Sequence, residues 1–509
     1  MNTPPPSPSY TRLITTLREI GLLGSVASVL HWDERTQMPV KGTEHRANQL
    51  SLLARMTHEQ FTSPKVGELL AAVEGSDLMG DRAGDTAVNV RETRRAYDRA
   101  IKLPASLVEE MTKTEILSQA AWVEARKKSD FAAFEPWLGK VLNLKLKEAD
   151  CVGFKTSRYD ALLDPYEPDE TAANLTKVFE SLRGPLVELV GKITSSSRKA
   201  PLEILERKYP AVGQEKLGRE AAAKVGFDFT AGRLDVSVHP FCSGLGPGDT
   251  RMTTRYDESY FGDAFFGVLH ETGHALYDQG LPAEHFGTPS GEAISLGIHE
   301  SQSRLWENFV GRGRAFWKYF LPIAKSTFPD TLKNVGEDEW YFAVNDVRPS
   351  LIRTESDEAT YNLHILLRFE LEQAMLNGEL KPKDVPAAWN ERMRKYFGIT
   401  PPNDAKGCLQ DIHWSSGAIG YFPTYTLGNL YAAQFFEQAR KDLGDLDAQF
   451  SAGDFAALLG WLRKNIHSQG KRFTARELVA RVTGKELSAE PLLRHLRGKA
   501  EELYGVQSS

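Results

Sequence analysis

Along most of this chain, apolar residues recur at alternating spacings of three and four. The clearest stripe is Leu175, Val178, Phe179, Leu182, Leu186, Leu189, Val190 and Ile193, which predicts an amphipathic helix kinked or interrupted at Gly184-Pro185. Similar runs over residues 105 to 128, 303 to 325, 360 to 377, 426 to 443 and 454 to 466 predict further helices, separated by short Gly, Pro and Asp punctuation. Thr474 to Glu477, "TARE", reads as a capping box that opens one more. Strand-like alternation is confined to residues 233 to 256, where two short segments flank the Gly/Pro-rich turn "GLGPG". No internal repeat appears. The pattern predicts a mainly α protein: a flexible tail over residues 1–8, then one domain over 9–509, two lobes around a groove, with a small β-sheet.

Composition narrows the class. A net charge of -6 without a long Lys/Arg block provides no footprint for a polyanion, so nucleic acid is not an expected partner. No apolar run approaches the roughly 18 residues of a spanning helix, the nearest being "IGLLGSVASVLHW", and the start lacks the basic region of a leader. The expectation is a protein with no membrane association. The three cysteines, Cys151, Cys242 and Cys408, are far apart, which excludes a disulfide framework or a thiolate cage and suits a reducing cytoplasm.

The chemistry concentrates in "FFGVLHETGHALYDQG", residues 265 to 280. On a helix, positions four apart differ by about 40° in azimuth and about 6 Å in rise, so His270 and His274 can share one ion. Glu271, roughly 100° round, stands beside that ion rather than on it, within reach of a water at an open coordination position. The flanks Phe265, Phe266, Val268, Leu269, Ala275 and Leu276 are apolar on nearly every side, which predicts a buried helix whose imidazoles need partners. Gly273 inside it costs about 1 kcal/mol relative to alanine and implies that something approaches closely there. "GLGPG" lacks the Gly-Lys-Ser/Thr ending of a phosphate loop and reads as a tight turn.

A catalytic ion of this kind takes a third protein ligand. No histidine occurs at 275 to 284, and His285 comes too late for a third-histidine pattern. "ISLGIHESQSRLWENF" offers His299 and Glu300 early in a second helix; spacing favours Glu300 slightly and leaves His299 and Glu292 open.

At this point the sequence resembles the carboxypeptidase Taq family of HExxH metallocarboxypeptidases. The motifs run in order over residues 239 to 414: "HPF" at His239, "DTRMT" at Asp249, "HETGH" at His270, "HESQ" at His299, "IRTESD" at Ile352, and "GCLQDIHW" at Gly407. Ser356 stands where the family motif has alanine, a small-for-small change. The resemblance implies a neurolysin-like helical fold with a deep substrate groove, commonly a homodimer, and assigns Glu300 as third ligand. The first 230 residues carry no such motif.

The implied activity is removal of single C-terminal residues from peptides with a free C-terminus; the alternative is an endo-acting zinc oligopeptidase on the same scaffold. One Zn²⁺ per chain is expected, with Co²⁺ equally suited to N/O ligands. Glu271 would take a proton from water and return it to the leaving amine. Oxyanion donors are expected from His413, which could instead be a structural partner of Asp411, and from Tyr421 or Tyr425, although aromatics at helical spacing are more often core than catalytic. A guanidinium suits the terminal carboxylate. Arg353 is the first choice, against a plain ion pair with Glu355 or Asp357. Arg251 and Arg255 follow, on a strand that could also pair with the substrate backbone, and His239 would orient the substrate or cap that strand.

Overall fold

The computed structural model describes residues 7–507, most of them helical. Residues 1–6 of the predicted tail lie outside the described residues. The first helix, Pro8–Thr36, already starts at Pro8, with the Ser7 hydroxyl accepting from Tyr10 N at 3.2 Å. Proline suits that position because its missing N–H would be unpaired there in any case. This helix corrects the hydropathy reading, since it is long and apolar enough, by length and composition, to cross a membrane. The charged pair Arg18-Glu19 divides its apolar residues into runs that are each short. The helix buries Leu13, Leu17 and Trp32 and leaves Leu22, Val26 and Val29 exposed. The second helix, Thr43–Phe61, packs on the first and buries no residue. Leu13 and Leu17 join Val66, Leu70, Val90 and Tyr97 in a small core apart from the main one.

The longest predicted stripe forms the helix Ala172–Ser195, capped by the Thr171 side chain, with Leu175, Phe179, Leu182, Leu186, Leu189, Val190 and Ile193 buried. It runs through Pro185 without interruption. Ser181, whose carbonyl loses its partner to the proline, is exposed to water, and the buried stripe holds the helix on both sides. The run 303 to 325 divides into three elements: the end of the helix Leu296–Arg304, a π-helical turn Leu305–Gly311, and the helix Arg314–Thr327. The Thr474 capping box is present, with Glu477 N bonded to Thr474 Oγ1 at 3.2 Å and Thr474 N to Glu477 Oε2 at 2.9 Å.

The sheet has three strands rather than two: β1 Gly232–Val236, β2 Cys242–Gly246 and β3 Asp249–Thr254, in the order β1-β3-β2. Most of the glycine-rich stretch read as a turn is β2 itself, and the reversal falls at Pro247-Gly248, where Gly248 takes φ +80°. β1 runs parallel and β2 antiparallel to β3, so Met252 faces Leu234 on one side and Cys242 on the other. A central strand has no free backbone edge, which removes β3 as a partner for substrate backbone. The buried Met252 meets the next element through Thr272, whose hydroxyl lies 3.6 Å from its sulfur.

That element is the HETGH helix, Gly262–Asp278, buried around most of its circumference as its apolar flanks predict. The HESQ helix, Leu296–Arg304, lies against it and against the helix Pro423–Leu443. Two glycines permit this. A Cβ on Gly273 would fall 2.4 Å from Gln302 O, and one on Gly428 would fall 2.4 Å from Glu300 Cγ. The close approach expected at Gly273 is therefore the backbone of a neighbouring helix. Gly273→Ala is expected to cost about 1–3 kcal/mol by overpacking, read as a lower thermal midpoint. Gly267→Ala on the same helix, with nothing within 4 Å of its added carbon, is the control, expected to keep or raise the midpoint.

Candidate metal centre

The HETGH helix presents His270 and His274 on one face, with ring centroids 4.9 Å apart. The HESQ helix brings Glu300 to them: its Oε2 lies 3.7 Å from His270 Nε2 and 3.4 Å from His274 Nε2. The three residues offer donor atoms that all lie within 4.8 Å of one another. The outer ring nitrogens are engaged elsewhere, His270 Nδ1 with Glu307 Oε2 at 2.9 Å and His274 Nδ1 with His299 Nδ1 at 2.6 Å. Two imidazole lone pairs and a carboxylate thus converge on one point, the donor set a divalent cation requires. Glu292 lies elsewhere, paired with Lys471.

The position of Glu300 is set at the start of its helix. Ser295 Oγ accepts from Ile298 N at 3.1 Å, and the buried Glu167 carboxylate accepts from Gly297 N at 3.0 Å, Ser295 Oγ at 3.1 Å and Tyr431 OH at 2.9 Å. Negative charge at a helix N-terminus is favoured by the orphan N–H groups and the helix dipole. Burial nevertheless pushes the Glu167 carboxyl up to about 7.

The electrostatics separate the acids by role. Burial alone would raise Glu300, but Arg304, His270 and His274 outweigh it and hold its carboxyl well below the usual range. Arg304 Nε donates to Glu300 Oε1 at 2.7 Å and Nη1 to Glu307 Oε2 at 3.3 Å. Glu271 has no such cation: burial pushes it up to about 7, Glu300 and Glu307 adding to the rise and His270 opposing it. Burial pulls His274 down to about 4, whereas at His270 the charges of Glu300 and Glu307 overcome burial and raise it.

A second group of side chains adjoins this one. The Arg304 guanidinium lies 4.3 Å over the Tyr361 ring, and the Tyr361 hydroxyl accepts from Arg353 Nη1 at 2.8 Å. Arg353 directs Nε and Nη2 to Asp411 Oδ1 at 2.9 and 2.8 Å, so its ion-pair partner is Asp411, neither Glu355 nor Asp357. Asp357 instead caps the helix Thr360–Leu376, accepting from Thr360 N at 3.0 Å. Arg368 takes the other oxygen of Asp411 at 2.7 Å and shares Gln410 Oε1 with the backbone N–H of Arg353. His413 Nε2 lies 3.2 Å from Tyr425 OH. Its buried Nδ1, 4.0 Å from Asp411 Oδ1, has no hydrogen-bond partner among the described residues. Tyr421 packs beside Tyr425 with ring centroids 5.4 Å apart.

From residue 12 to residue 500 the sequence matches the carboxypeptidase Taq (M32) metallopeptidase family. The chain belongs to that family. Thermostable carboxypeptidase 1 of Thermus thermophilus is 47% identical, with 98% of this chain and 100% of that protein aligned. Carboxypeptidase 1 of Bacillus subtilis is 36% identical over 96% of this chain and 97% of its own length. The crystal structure of an M32 carboxypeptidase from Deinococcus radiodurans R1 superposes with a TM-score of 0.95 at 41% identity, covering 98% of this chain and 100% of that one. This M32 chain is accordingly a metallocarboxypeptidase, a hydrolase whose family implies a divalent metal ion.

Within the M32 fold the quoted motifs turn out to be partners of one another. "IRTESD" and "GCLQDIHW" meet through Arg353, Gln410 and Asp411, while Trp414 Nε1 anchors the second motif to the buried Glu372 at 3.0 Å. The Ser356 hydroxyl fits in place of alanine by bonding Ile352 O at 3.0 Å and Ser350 Oγ at 2.8 Å. Arg251 is placed elsewhere, bonded to Asp249 and 4.5 Å over the Trp32 ring of the first helix. Arg255 is exposed and pairs with Asp263. His239 stands exposed between β1 and β2, where its carbonyl accepts from Ser237 Oγ at 2.7 Å. Arg304, Glu307 and Tyr361 join the cluster without having been singled out by the motifs. The i, i+4 spacing of Glu300 and Arg304 and the i, i+3 spacing of Arg304 and Glu307 are the local signals that point to them.

Proposed function

We propose that this chain releases single C-terminal amino acids from peptides, using one ion, Zn²⁺ or Co²⁺, held by His270, His274 and Glu300. The observation that carries the reading is the unbroken line of contacts from Glu300 through Arg304 and Tyr361 to Arg353. It joins a carboxylate-binding guanidinium to the metal donors. Arg353 has five N–H donors, of which Asp411 and Tyr361 engage three. The remainder suit the free carboxylate of a peptide.

The bound ion would supply Lewis acidity to the attacking water and the scissile carbonyl. Glu271 takes the water proton and later returns it to the departing amine nitrogen. Tyr425 and His413 are the donors for the developing oxyanion, each such donor being worth about 3 kcal/mol. Burial pushes the Tyr425 phenol far up, so it remains protonated and able to donate at neutral pH. Tyr421 supports Tyr425 by ring contact.

A deep groove between two lobes belongs to the same proposal and is supported by the separate small core of the N-terminal helices. So does a homodimer, which the exposed apolar side chains of the first two helices, Leu22, Val26, Leu52 and Met56, would suit. A cytoplasmic setting agrees with three free cysteines.

Paired peptides, identical except for a free or amidated C-terminus, test the reading. The free acids are expected to lose one residue at a time and the amides to resist. Equal cleavage of both, at internal bonds, would establish the oligopeptidase alternative instead.

A further inference from the structure

We infer that His299 and Asp278 are positioning residues for the metal site, a two-step relay that selects the ligand-competent tautomer of His274. The inference rests on the metal reading above. His299 opens the HESQ motif and was itself a candidate third ligand, yet its ring is turned away from the donor cluster. Its Nδ1 lies 2.6 Å from the outer nitrogen of His274, and its Nε2 lies 3.0 Å from Asp278 Oδ1.

Proton positions follow by elimination. To bind a cation, His274 must present a bare Nε2 beside Glu300, so its proton sits on Nδ1 and is donated to His299. His299 Nδ1 must then be the acceptor, and its own proton lies on Nε2, which donates to Asp278. The opposite arrangement, with His299 Nδ1 donating, would protonate His274 Nε2 and block the site. When the His299 ring is neutral, donation from its Nε2–H to Asp278 Oδ1 leaves Nδ1 as an acceptor, so Asp278 favours the first arrangement from two rings away.

The relay is built in rather than incidental. Asp278 lies one helical turn beyond His274 on the HETGH helix, and its Oδ2 faces β2, 4.0 Å from Cys242 Sγ. A Cβ on Gly244 would sit 2.8 Å from that same oxygen, so the β2 backbone closes over the carboxylate. The Tyr277 ring covers His299 at 5.2 Å between centroids. His270 has a shorter arrangement, bonded directly to Glu307, which Arg304 and Arg312 hold. The two ligand rings are therefore fixed by different devices, one direct and one relayed.

The test is Co²⁺ affinity by chelator competition, together with the visible spectrum of the Co²⁺ protein and the thermal midpoint of the metal-free protein. Asp278→Asn keeps the shape but offers an amide that can donate to His299 and so permit the wrong tautomer. Outer partners of this kind are worth about 10- to 100-fold in metal affinity, and a loss of that size is expected, with an altered spectrum and an unchanged metal-free midpoint. His299→Leu is expected to lose at least as much. His299→Gln, which can accept from His274 and donate to Asp278, is expected to recover most of the affinity. Wild-type affinity and spectrum in Asp278→Asn would overturn the relay, and that variant decides the matter even if His299→Leu does not fold. If the wild-type chain binds no Co²⁺ at all, the metal reading itself fails, a distinct result.

Discussion

Glu271→Gln is expected to lower kcat by about 10²- to 10⁴-fold while the protein still binds its ion. The substitution keeps the size of the side chain and removes only its capacity to carry a proton. Glu271 is buried on the same helix as His270 and His274 yet contributes no donor to the three-residue group, so metal content should not follow activity. Metal analysis after gel filtration, run alongside peptide hydrolysis, separates the two. The pH profile supplies a second reading. The base must be ionised, so activity rises as pH climbs through its pKa, which burial pushes up to about 7. A neighbouring cation favours the carboxylate, so the acid limb should fall below pH 7. A variant with full activity would transfer the proton-carrying role to another group.

Replacing Glu300 with alanine is expected to remove both metal and activity and to destabilise the fold. Besides offering a metal donor, its carboxylate neutralises Arg304, which is buried against Tyr361. Breaking a buried ion pair by deleting one partner costs about 3–5 kcal/mol; Glu307, still 3.3 Å from Arg304, should hold the loss towards the lower figure. The sign with pH follows from the depressed carboxyl. Its stabilising contribution is present at neutral pH and is lost as pH falls below the ordinary glutamate range. Thermal melts of the metal-free proteins at pH 7 and pH 4 should therefore show the gap between wild type and variant narrowing in acid. Equal midpoints at pH 7 would mean that Arg304 has found another partner.

What could be read from the sequence was what is periodic or local. The stripe from Leu175 to Ile193, the four-residue spacing of His270 and His274, and the Thr474 capping box all depend on neighbours within a few positions, and each appears in the structure. The π-helical turn at Leu305–Gly311 escaped because its apolar pattern stays close to that of an α-helix. β2 escaped because glycines mask alternation. The pairings that complete the site are long-range: Arg353 finds Asp411, 58 residues away, His270 finds Glu307, 37 residues away, and Glu167 caps a helix 130 residues further on. Motifs marked Arg353 and Asp411 as notable without indicating that they are each other's counterion. Local spacing points Arg353 to its nearest acidic neighbours, Glu355 and Asp357, whereas the fold uses Asp357 to hold the start of the next helix.

The glycines at 273 and 428 leave the HESQ helix bare contact with main chain on one flank and Glu300 itself pressed against main chain on the other. At these two contacts no compressible layer of side chains separates the helices, so the Glu300 carboxylate inherits the stiffness of the scaffold. Any motion that parts these helices would therefore draw Glu300 away from His270 and His274.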